Sequence, residues 1–272
     1  MKKFGKLLLV TIIGCFSMSV SADDVKEQLQ QAATGAHRSP ENIARNQYRH
    51  PVETLSWFGI RPDMTVVEIS PGGGGWYTEV LAPFLREKGK LYAASFDSES
   101  EVEYFRNNAK KYLDKLAANP GVYDQVVVTE FAPPKKNKLE PAGKADMVLT
   151  FRNLHNWVNA NVAEQTFTAM YKVLKPGGTL GLVAHRGEPR MVGKEWSEKG
   201  YVAQAEAIRL AEQAGFKFVA SSEINANPND TKNYEQGVWT LPPVYRLGDQ
   251  DRDKYTAIGE SDRMTLKFIK PE

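Results

Sequence analysis

From Thr65 onward the chain alternates short β-branched segments with segments of helical periodicity, and this rhythm limits the folds it can adopt. Strand-like composition occurs at residues 65–69, 90–96, 125–129, 145–151, 179–184, 217–222 and 264–269. Helical spacing occurs between them, at residues 76–86, 98–118, 161–174 and 201–214. Ser98 with Glu101 three residues later predicts a capping box at the start of the second helix. This alternation predicts a mostly parallel sheet covered by helices on both faces.

The composition is that of an ordinary globular protein. The chain has 272 residues, of which 42% are hydrophobic and 25% are charged, and this excludes a disordered, collagen-like or multi-span membrane chain. A formal net charge of +2 gives no overall reason to bind nucleic acid or an anionic membrane. We therefore expect a small-molecule substrate, with no nucleic-acid partner.

The first 22 residues have the pattern of a secretory signal peptide. Three lysines precede an apolar stretch at residues 7–16, and Val20-Ser21-Ala22 offers small residues for cleavage after Ala22. An uncut N-terminal anchor and a lipoprotein attached through Cys15 are the alternatives. Cleavage would leave 32 basic and 33 acidic side chains and no cysteine. We therefore expect an exported, periplasmic protein without disulfides, cysteine metal ligands or stable membrane association.

Two further regions flank the predicted sheet. Residues 23–60 read as short helices that cap the main domain, residues 61–272, and Ser39-Pro40-Glu41 is a typical helix start. Residues 225–258 form a long irregular segment that contains Trp239. A segment of this length in a compact domain predicts a functional loop or lid, and a surface crossover is the alternative.

A glycine run follows the first predicted strand. Glu68 precedes Ser70-Pro71-Gly72-Gly73-Gly74-Gly75, where backbone can approach a ligand closely and the next helix favours an anionic group. The spacing does not fit G-x-G-x-x-G or G-x-x-x-x-G-K. A nucleotide-like ligand is therefore expected at the carboxyl ends of the strands, but a nicotinamide-dependent oxidoreductase is not.

Three motifs together resemble the class I S-adenosylmethionine-dependent methyltransferases. Residues 66–74 (VVEISPGGG) are similar to their first motif, 174–180 (LKPGGTL) to the turn before their fifth strand, and 211–216 (AEQAGF) to the turn before their sixth. Residues 148–153 (VLTFRN) and 259–264 (GESDRM) further resemble a group of exported, uncharacterised predicted methyltransferases. The resemblance implies a Rossmann-like, seven-stranded, mostly parallel sheet whose last strand is antiparallel. It also implies S-adenosylmethionine as cofactor.

The resemblance also implies which residues bind the cofactor. The family's ribose-binding acid ends the second strand, where this chain has Ser95. Asp97 follows two residues later and is assigned this role, although a helix N-cap is the alternative. Glu130 and Phe131, after the third strand, are assigned to adenine. The full set of expected cofactor-binding residues is Glu68, Ser70, Gly72, Gly73, Gly74, Asp97, Glu130, Phe131 and Asn153.

Residues after the fourth and fifth strands are candidates for contacting the methyl acceptor. Residues 151–157 are similar to the segment of small-molecule O-methyltransferases that carries a histidine base, which makes His155 the candidate base. A structural histidine that caps the next helix is the alternative. His185 and Arg186 follow the fifth strand, and Arg186 is suited to bind an acidic acceptor or to pair with Glu188.

Two functions therefore remain open from the sequence. The first is methyl transfer to a small molecule or an exported polymer. The second is an exported methyltransferase-like fold that binds a ligand without transferring a methyl group, since the cofactor is made in the cytoplasm. No metal site is expected, because none of the four histidines is spaced as a ligand pair with a nearby acid.

Overall fold

The computed structural model describes residues 21–272, and the predicted signal peptide lies almost entirely outside this range. An eight-stranded, mostly parallel sheet forms the centre of the molecule. The prediction of a Rossmann-like sheet with an antiparallel last strand is confirmed. The strands are β1 (Thr65–Ile69), β2 (Lys90–Ser95), β3 (Val127–Glu130), β4 (Ala145–Phe151), β5 (Leu174–Gly187), β6 (Val202–Ala203), β7 (Lys217–Ser222) and β8 (Arg263–Ile269).

The strand order places the carboxyl ends of five strands at one edge of the sheet. The order is β3-β2-β1-β4-β5-β8-β7, and the first five strands run parallel to one another. β8 runs antiparallel to both β5 and β7. The remaining strand, β6, has two residues and pairs with the end of β5. The sequence did not predict it. The order reverses direction beside β1, which is where open α/β sheets bind ligands.

Helices cover both faces of the sheet, because successive strand residues point to opposite sides. Val66 packs with Leu81 in one buried cluster, and its neighbour Val67 packs with Phe167 in another on the opposite face. The helices are α1 (Ala22–Ala33), α2 (Pro40–Ala44), α3 (Asn46–Arg49), α4 (Pro51–Phe58), α5 (Thr78–Leu85), α6 (Glu103–Ala118), α7 (Pro120–Tyr123), α8 (Leu154–Asn159), α9 (Ala163–Val173), α10 (Lys194–Ser197), α11 (Gln204–Gln213) and α12 (Arg252–Ile258).

The four N-terminal helices pack onto the domain through buried polar contacts as well as apolar ones. α1 lies against α4 and α5. Arg38 Nε donates to Glu79 Oε2 over 2.9 Å, and both side chains are almost completely buried. Trp76, just before α5, lies between two guanidinium groups, with Arg38 and Arg49 each 4.6 Å from its ring centroid. The cap therefore braces the segment that joins the glycine run to α5.

Two local predictions differ from the structure. The capping box at Ser98 is wrong, because α6 begins at Glu103 and its N-cap Val102 makes no side-chain hydrogen bond. Ser98 instead donates its backbone amide to Glu130 Oε1 over 3.0 Å, a carboxylate on another strand. The segment 225–258 is not wholly irregular, since it contains a 3₁₀ helix (Gly237–Thr240) as well as α12.

Among residues 21–272, no helix combines the length and the apolar composition that crossing a bilayer requires.

The Arg38–Glu79 pair predicts a specific dependence of stability on the cap. Arg38→Met removes the fully buried cation that pairs with Glu79 and leaves this carboxylate with Lys115 and Asn42, so we expect the free energy of unfolding to fall by about 2 kcal/mol. Lys110→Met is the matched control, because Lys110 pairs with Asp114 at the exposed surface of α6 and should contribute little. Urea unfolding of both variants measures the difference. Equal stabilities would contradict this role for Arg38.

Candidate functional site

A cavity of about 560 Å³ opens at the carboxyl ends of the parallel strands. This volume lies within the range of roughly 300–1,000 Å³ that is usual for small-molecule sites. Each of the five parallel strands contributes to its wall at or just after its carboxyl end. In the order β1 to β5, the contributing residues are Gly72, Asp97, Phe131, Arg152 and His185. The segment 225–258 closes one side with Trp239 and Arg246. The fold thus brings together residues that are far apart in the sequence.

The glycine loop borders the cavity with three consecutive residues, Ser70, Pro71 and Gly72. Ser70 and Gly72 line it, and both have positive φ, +50° and +71°. A Cβ at Gly72 would meet nothing within 4 Å, so the space in front of it is open. Gly73 and Gly74 do not line the cavity, and the Gly73 amide donates to Asn108 Oδ1 on α6 over 3.1 Å. Gly72 is therefore the glycine of this run that borders the cavity.

Asn153 fixes this loop against β4. Its Nδ2 donates to the carbonyl oxygens of Ile69 and Ser70 over 3.1 and 3.2 Å. The side chain is buried at the cavity wall, between the ends of β1 and β4. Asn153 therefore stabilises the glycine loop through its hydrogen bonds, and it also lines the cavity.

Glu68 lies behind the loop rather than in the cavity. Thr78 Oγ1 donates to Glu68 Oε2 over 2.6 Å, and Tyr112 Oη lies 3.1 Å from the same hydroxyl. Burial raises the pKa of Glu68 from 4.5 to about 7, against the opposing effect of the Thr78 hydrogen bond. Glu68 is therefore placed to hold the start of α5, and it does not line the cavity.

The predicted ribose acid lines the cavity and keeps one oxygen free. Asp97 Oδ1 accepts from Lys136 Nζ over 2.7 Å and from the Glu99 amide over 3.0 Å. The Lys136 hydrogen bond, followed by the Glu99 amide, lowers the pKa of Asp97. Oδ2 has no hydrogen-bond partner among residues 21–272, and a carboxylate oxygen can accept two hydroxyl groups. Asp97 therefore retains capacity for a ligand.

Glu130 is used within the protein instead. Its Oε1 accepts from the backbone and the hydroxyl of Ser98, and its Oε2 accepts from Lys136. It does not line the cavity, so the structure does not place it against an adenine ring. By holding Ser98 and Lys136 it positions the loop that carries Asp97.

Aromatic side chains surround Asp97. Phe131 is buried in the cavity wall, as expected of a residue that follows the third strand. Phe96, Tyr104 and Phe105 also line the cavity, and the Phe96 and Phe105 ring centroids are 5.1 Å apart. Sequence reasoning missed these three. The Tyr104-Phe105 pair is apolar at the start of an otherwise polar helix, and that contrast was the available signal.

His155 and His185 meet at the ends of β4 and β5, with ring centroids 5.5 Å apart. Both line the cavity and both are buried. Burial, and then the charge of Arg152, lowers the pKa of His155 to about 4, so its ring is neutral at pH 7. Its Nδ1 has no partner among the described residues, and it does not cap α8. His155 is thus a neutral imidazole with unused hydrogen-bonding capacity.

His185 is more firmly held. Its Nδ1 lies 2.5 Å from Ser261 Oγ, a residue just before β8. Burial lowers the pKa of His185, and the neighbouring His155 and Arg152 lower it further. The hydrogen bond to Ser261 fixes the ring orientation at the cavity wall.

Arg186 does not reach the cavity. Its Nε and Nη2 donate to the two oxygens of Asp262 over 3.0 and 2.8 Å, and Nη1 donates to Glu223 over 2.8 Å. The Asp262 hydrogen bonds outweigh burial and raise the pKa of Arg186. Its guanidinium is therefore fully used in joining β5 to the start of β8, rather than in binding an acceptor, and its partner is not Glu188.

Other arginines occupy the part of the cavity that Arg186 was expected to reach. Arg152 follows β4 with φ of +64°, and its backbone amide donates to Val183 O over 2.7 Å. Arg246 lies at the mouth with its guanidinium carbon 4.7 Å from the Trp239 ring centroid. Neither is a sequence-based candidate, because the resemblance of residues 148–153 assigns no role to Arg152 and Arg246 lies in a loop without a motif.

Within residues 21–272, histidine, cysteine and acidic side chains form no group of three that could hold a metal ion.

Solved structures with a similar fold are S-adenosylmethionine-dependent methyltransferases. One from Aquifex aeolicus matches with a TM-score of 0.53 and 18% identity, over 90% of this chain and 98% of that chain. Geranyl diphosphate methyltransferase, in complex with S-adenosylmethionine, matches with 0.55 and 14%, over 89% and 94%. Haemonchus contortus phosphoethanolamine N-methyltransferase 2 matches with 0.54 and 14%, over 93% and 58%. No protein-family model and no curated protein matches the chain.

The strand order and these similarities define the class I methyltransferase fold. At such low identity the similarity concerns the fold alone. The activity has to be argued from the cavity and its residues.

The raised pKa of Glu68 predicts a dependence of stability on pH. The folded protein holds a proton that the unfolded chain has released between the ordinary pKa of 4.5 and about 7. Stability should therefore fall as the pH rises through this range, by up to roughly 3 kcal/mol. Glu68→Gln still accepts from Thr78 but cannot ionise. We expect its advantage over the wild type to increase between pH 5 and pH 8.

Urea unfolding at the two pH values measures this effect. Glu87→Gln is the control, because the Glu87 side chain is 83% exposed. A pH dependence that is the same in the wild type and Glu68→Gln would contradict the buried-proton explanation.

Proposed function

We propose that this protein is an S-adenosylmethionine-dependent methyltransferase that acts on a small molecule. The observation that carries the proposal is an open cavity bordered by Ser70 and Gly72 on one side and by the free Oδ2 of Asp97 on another. The fold supports it, because methyltransferases of known structure share the sheet.

The residues present fit the cofactor. Gly72 leaves open space where a side chain would intrude, and its backbone would border the methionine part. Asp97 Oδ2 would accept from the ribose hydroxyls, and Phe131 with Phe96 would pack against adenine. When bound, S-adenosylmethionine supplies an electrophilic methyl group on a positively charged sulfur.

The far end of the cavity would hold the acceptor. His155 is neutral at pH 7 and lines the cavity, so its ring can accept a proton from an acceptor hydroxyl. Trp239 packs edge-to-face against His155, with ring centroids 5.7 Å apart, and shields it from water. Positioning of the acceptor by these side chains would supply much of the rate enhancement.

A ligand-binding module without methyl transfer is the second candidate. Lys136 already neutralises Asp97, and Ser70 stands where the family has a glycine. Both features weaken the cofactor site relative to the family pattern.

We also propose that the protein is exported, with cleavage after Ala22, as part of the exported group that its sequence resembles. The support is the sequence pattern of residues 1–22.

The cofactor proposal predicts binding of both S-adenosylmethionine and S-adenosylhomocysteine. At about 100 times the dissociation constant, each should stabilise the protein by roughly 2.7 kcal/mol. Gly72→Val places a β-branched side chain at φ of +71° in the cavity and should abolish the effect. Gly74→Ala is the matched control, since its Cβ would meet nothing within 4 Å and Gly74 does not line the cavity. Thermal unfolding measures both.

Asp97→Asn provides a second variant if Gly72→Val fails to fold. It removes a carboxylate acceptor while leaving the loop's shape, and should weaken both ligands by about tenfold or more. A wild-type protein that is not stabilised by millimolar concentrations of either ligand would leave the binding-module alternative ahead.

The export proposal predicts the N-terminus of the protein recovered from a Gram-negative host. Intact mass should correspond to a chain that begins at Asp23, in the periplasmic fraction. Ala22→Pro should block cleavage, and Ala22→Ser, which keeps a small residue, should not. Recovery of the unprocessed chain in the cytoplasm would contradict export.

A further inference from the structure

The two ends of the cavity carry opposite charge. The cofactor end, at the glycine loop and β2, has Asp97, the one carboxylate among the described residues that line the cavity. The acceptor end, at β4, β5 and residues 225–258, has Arg152 and Arg246 beside the two histidines. Any acceptor bound there lies next to two guanidinium groups and to no acid.

Arg152 makes no ion pair with any residue in the range 21–272. Burial lowers its pKa to about 10, with Glu260 as the largest opposing influence, so it remains charged at pH 7. Glu260 does not pair with it, and the oxygens of Glu260 accept from three other arginines. They accept from Arg45 over 2.7 Å, from Arg49 over 3.2 Å and from Arg263 over 2.5 Å.

The group formed by Arg45, Arg49, Arg152, Arg263 and Glu260 is therefore short of negative charge. The group contains four guanidinium groups and one carboxylate, so it carries an excess of three positive charges, and its member Arg152 lines the cavity. Several buried donors in this group also lack partners: Arg49 Nη1 and Nη2, Arg45 Nη2 and Arg263 Nε. Buried charge without a counter-ion is costly, so an anion that reached Arg152 would be bound favourably.

Arg246 also lines the cavity, from the segment 225–258. It makes no ion pair with a described residue, and its stacking on Trp239 holds the planar guanidinium at the cavity mouth. Arginine in such a fixed orientation is suited to bidentate binding of a carboxylate or phosphate group.

We infer that the acceptor end binds a small organic anion, whose carboxylate or phosphate group lies between Arg152 and Arg246. This inference rests on the proposed function, because it names the class of methyl acceptor that the same site would bind. The anionic group would anchor the acceptor and leave its remaining part to face His155.

Benzoate and benzamide test the charge requirement directly, because they have nearly the same shape and differ in charge. Phenyl phosphate is the third probe and distinguishes phosphate from carboxylate recognition. Each is titrated calorimetrically into the full protein, with and without saturating S-adenosylhomocysteine. We expect the better of the two anions to bind at least tenfold more tightly than benzamide.

Arg152→Gln and Arg246→Gln should each weaken binding of that anion by roughly tenfold, the effect of losing a charge-assisted hydrogen bond, with little change for benzamide. Arg209→Gln is the matched control, since Arg209 lies outside the cavity and pairs with Glu206 on the surface of α11. Arg246 is exposed, so its variant keeps the test valid if Arg152→Gln fails to fold.

Four results would overturn the inference. One is that benzamide binds as well as the anions, and a second is that none of the probes binds. A third is that both arginine variants bind the anions as the wild type does. The fourth is that the arginine variants lose S-adenosylhomocysteine affinity by the same factor, since the arginines would then hold the cofactor's own carboxylate. Failure of S-adenosylhomocysteine to bind the wild type would count against the proposed function instead, and the anion comparison without it would still stand.

Discussion

One carboxylate, that of Glu260, connects the N-terminal cap, the last strand and the acceptor end of the cavity. It accepts from Arg45 and Arg49 on the cap and from Arg263 at the start of β8. Burial would raise the pKa of Glu260, but the surrounding arginines outweigh it and hold the pKa well below its ordinary value. The carboxylate is therefore ionised whenever the protein is folded at neutral pH. Its loss would leave several buried guanidinium groups with no counter-charge.

The environment of this carboxylate also affects the cavity, because one nearby arginine, Arg152, is not paired with it. Three arginines donate to its oxygens, whereas the fourth, Arg152, has no ion-pair partner among the described residues and lines the cavity. Arg186 shows the contrast, since Asp262 and Glu223 satisfy its guanidinium completely. Two arginines at the ends of neighbouring strands, Arg152 just after β4 and Arg186 within the last residues of β5, thus differ in role because their acidic neighbours differ. One of them joins strands, while the other lies against the ligand space.

The sequence predicted those features that depend on local patterns. Strand and helix alternation is local, so the sheet, its antiparallel last strand and the glycine loop could be anticipated from the residues and the family resemblance. The capping box at Ser98 failed because Glu130, 32 residues away, competes for the same groups. The pairing of Arg45 with Glu260 spans 215 residues, and no local pattern encodes it. For the same reason Arg152 could not be told apart from Arg186 before the fold was known.

The basicity of His155 depends on what occupies the cavity. Its low pKa has two causes, burial and then the charge of Arg152, and a ligand at Arg152 changes the second. An anion there would offset the positive charge of Arg152 and raise the proton affinity of the buried His155 imidazole when the acceptor is bound. A neutral ligand would leave the imidazole a weak base. The unpaired arginine would in this way make the proton acceptor more effective for an anionic substrate than for a neutral one, which is discrimination through electrostatics rather than through shape.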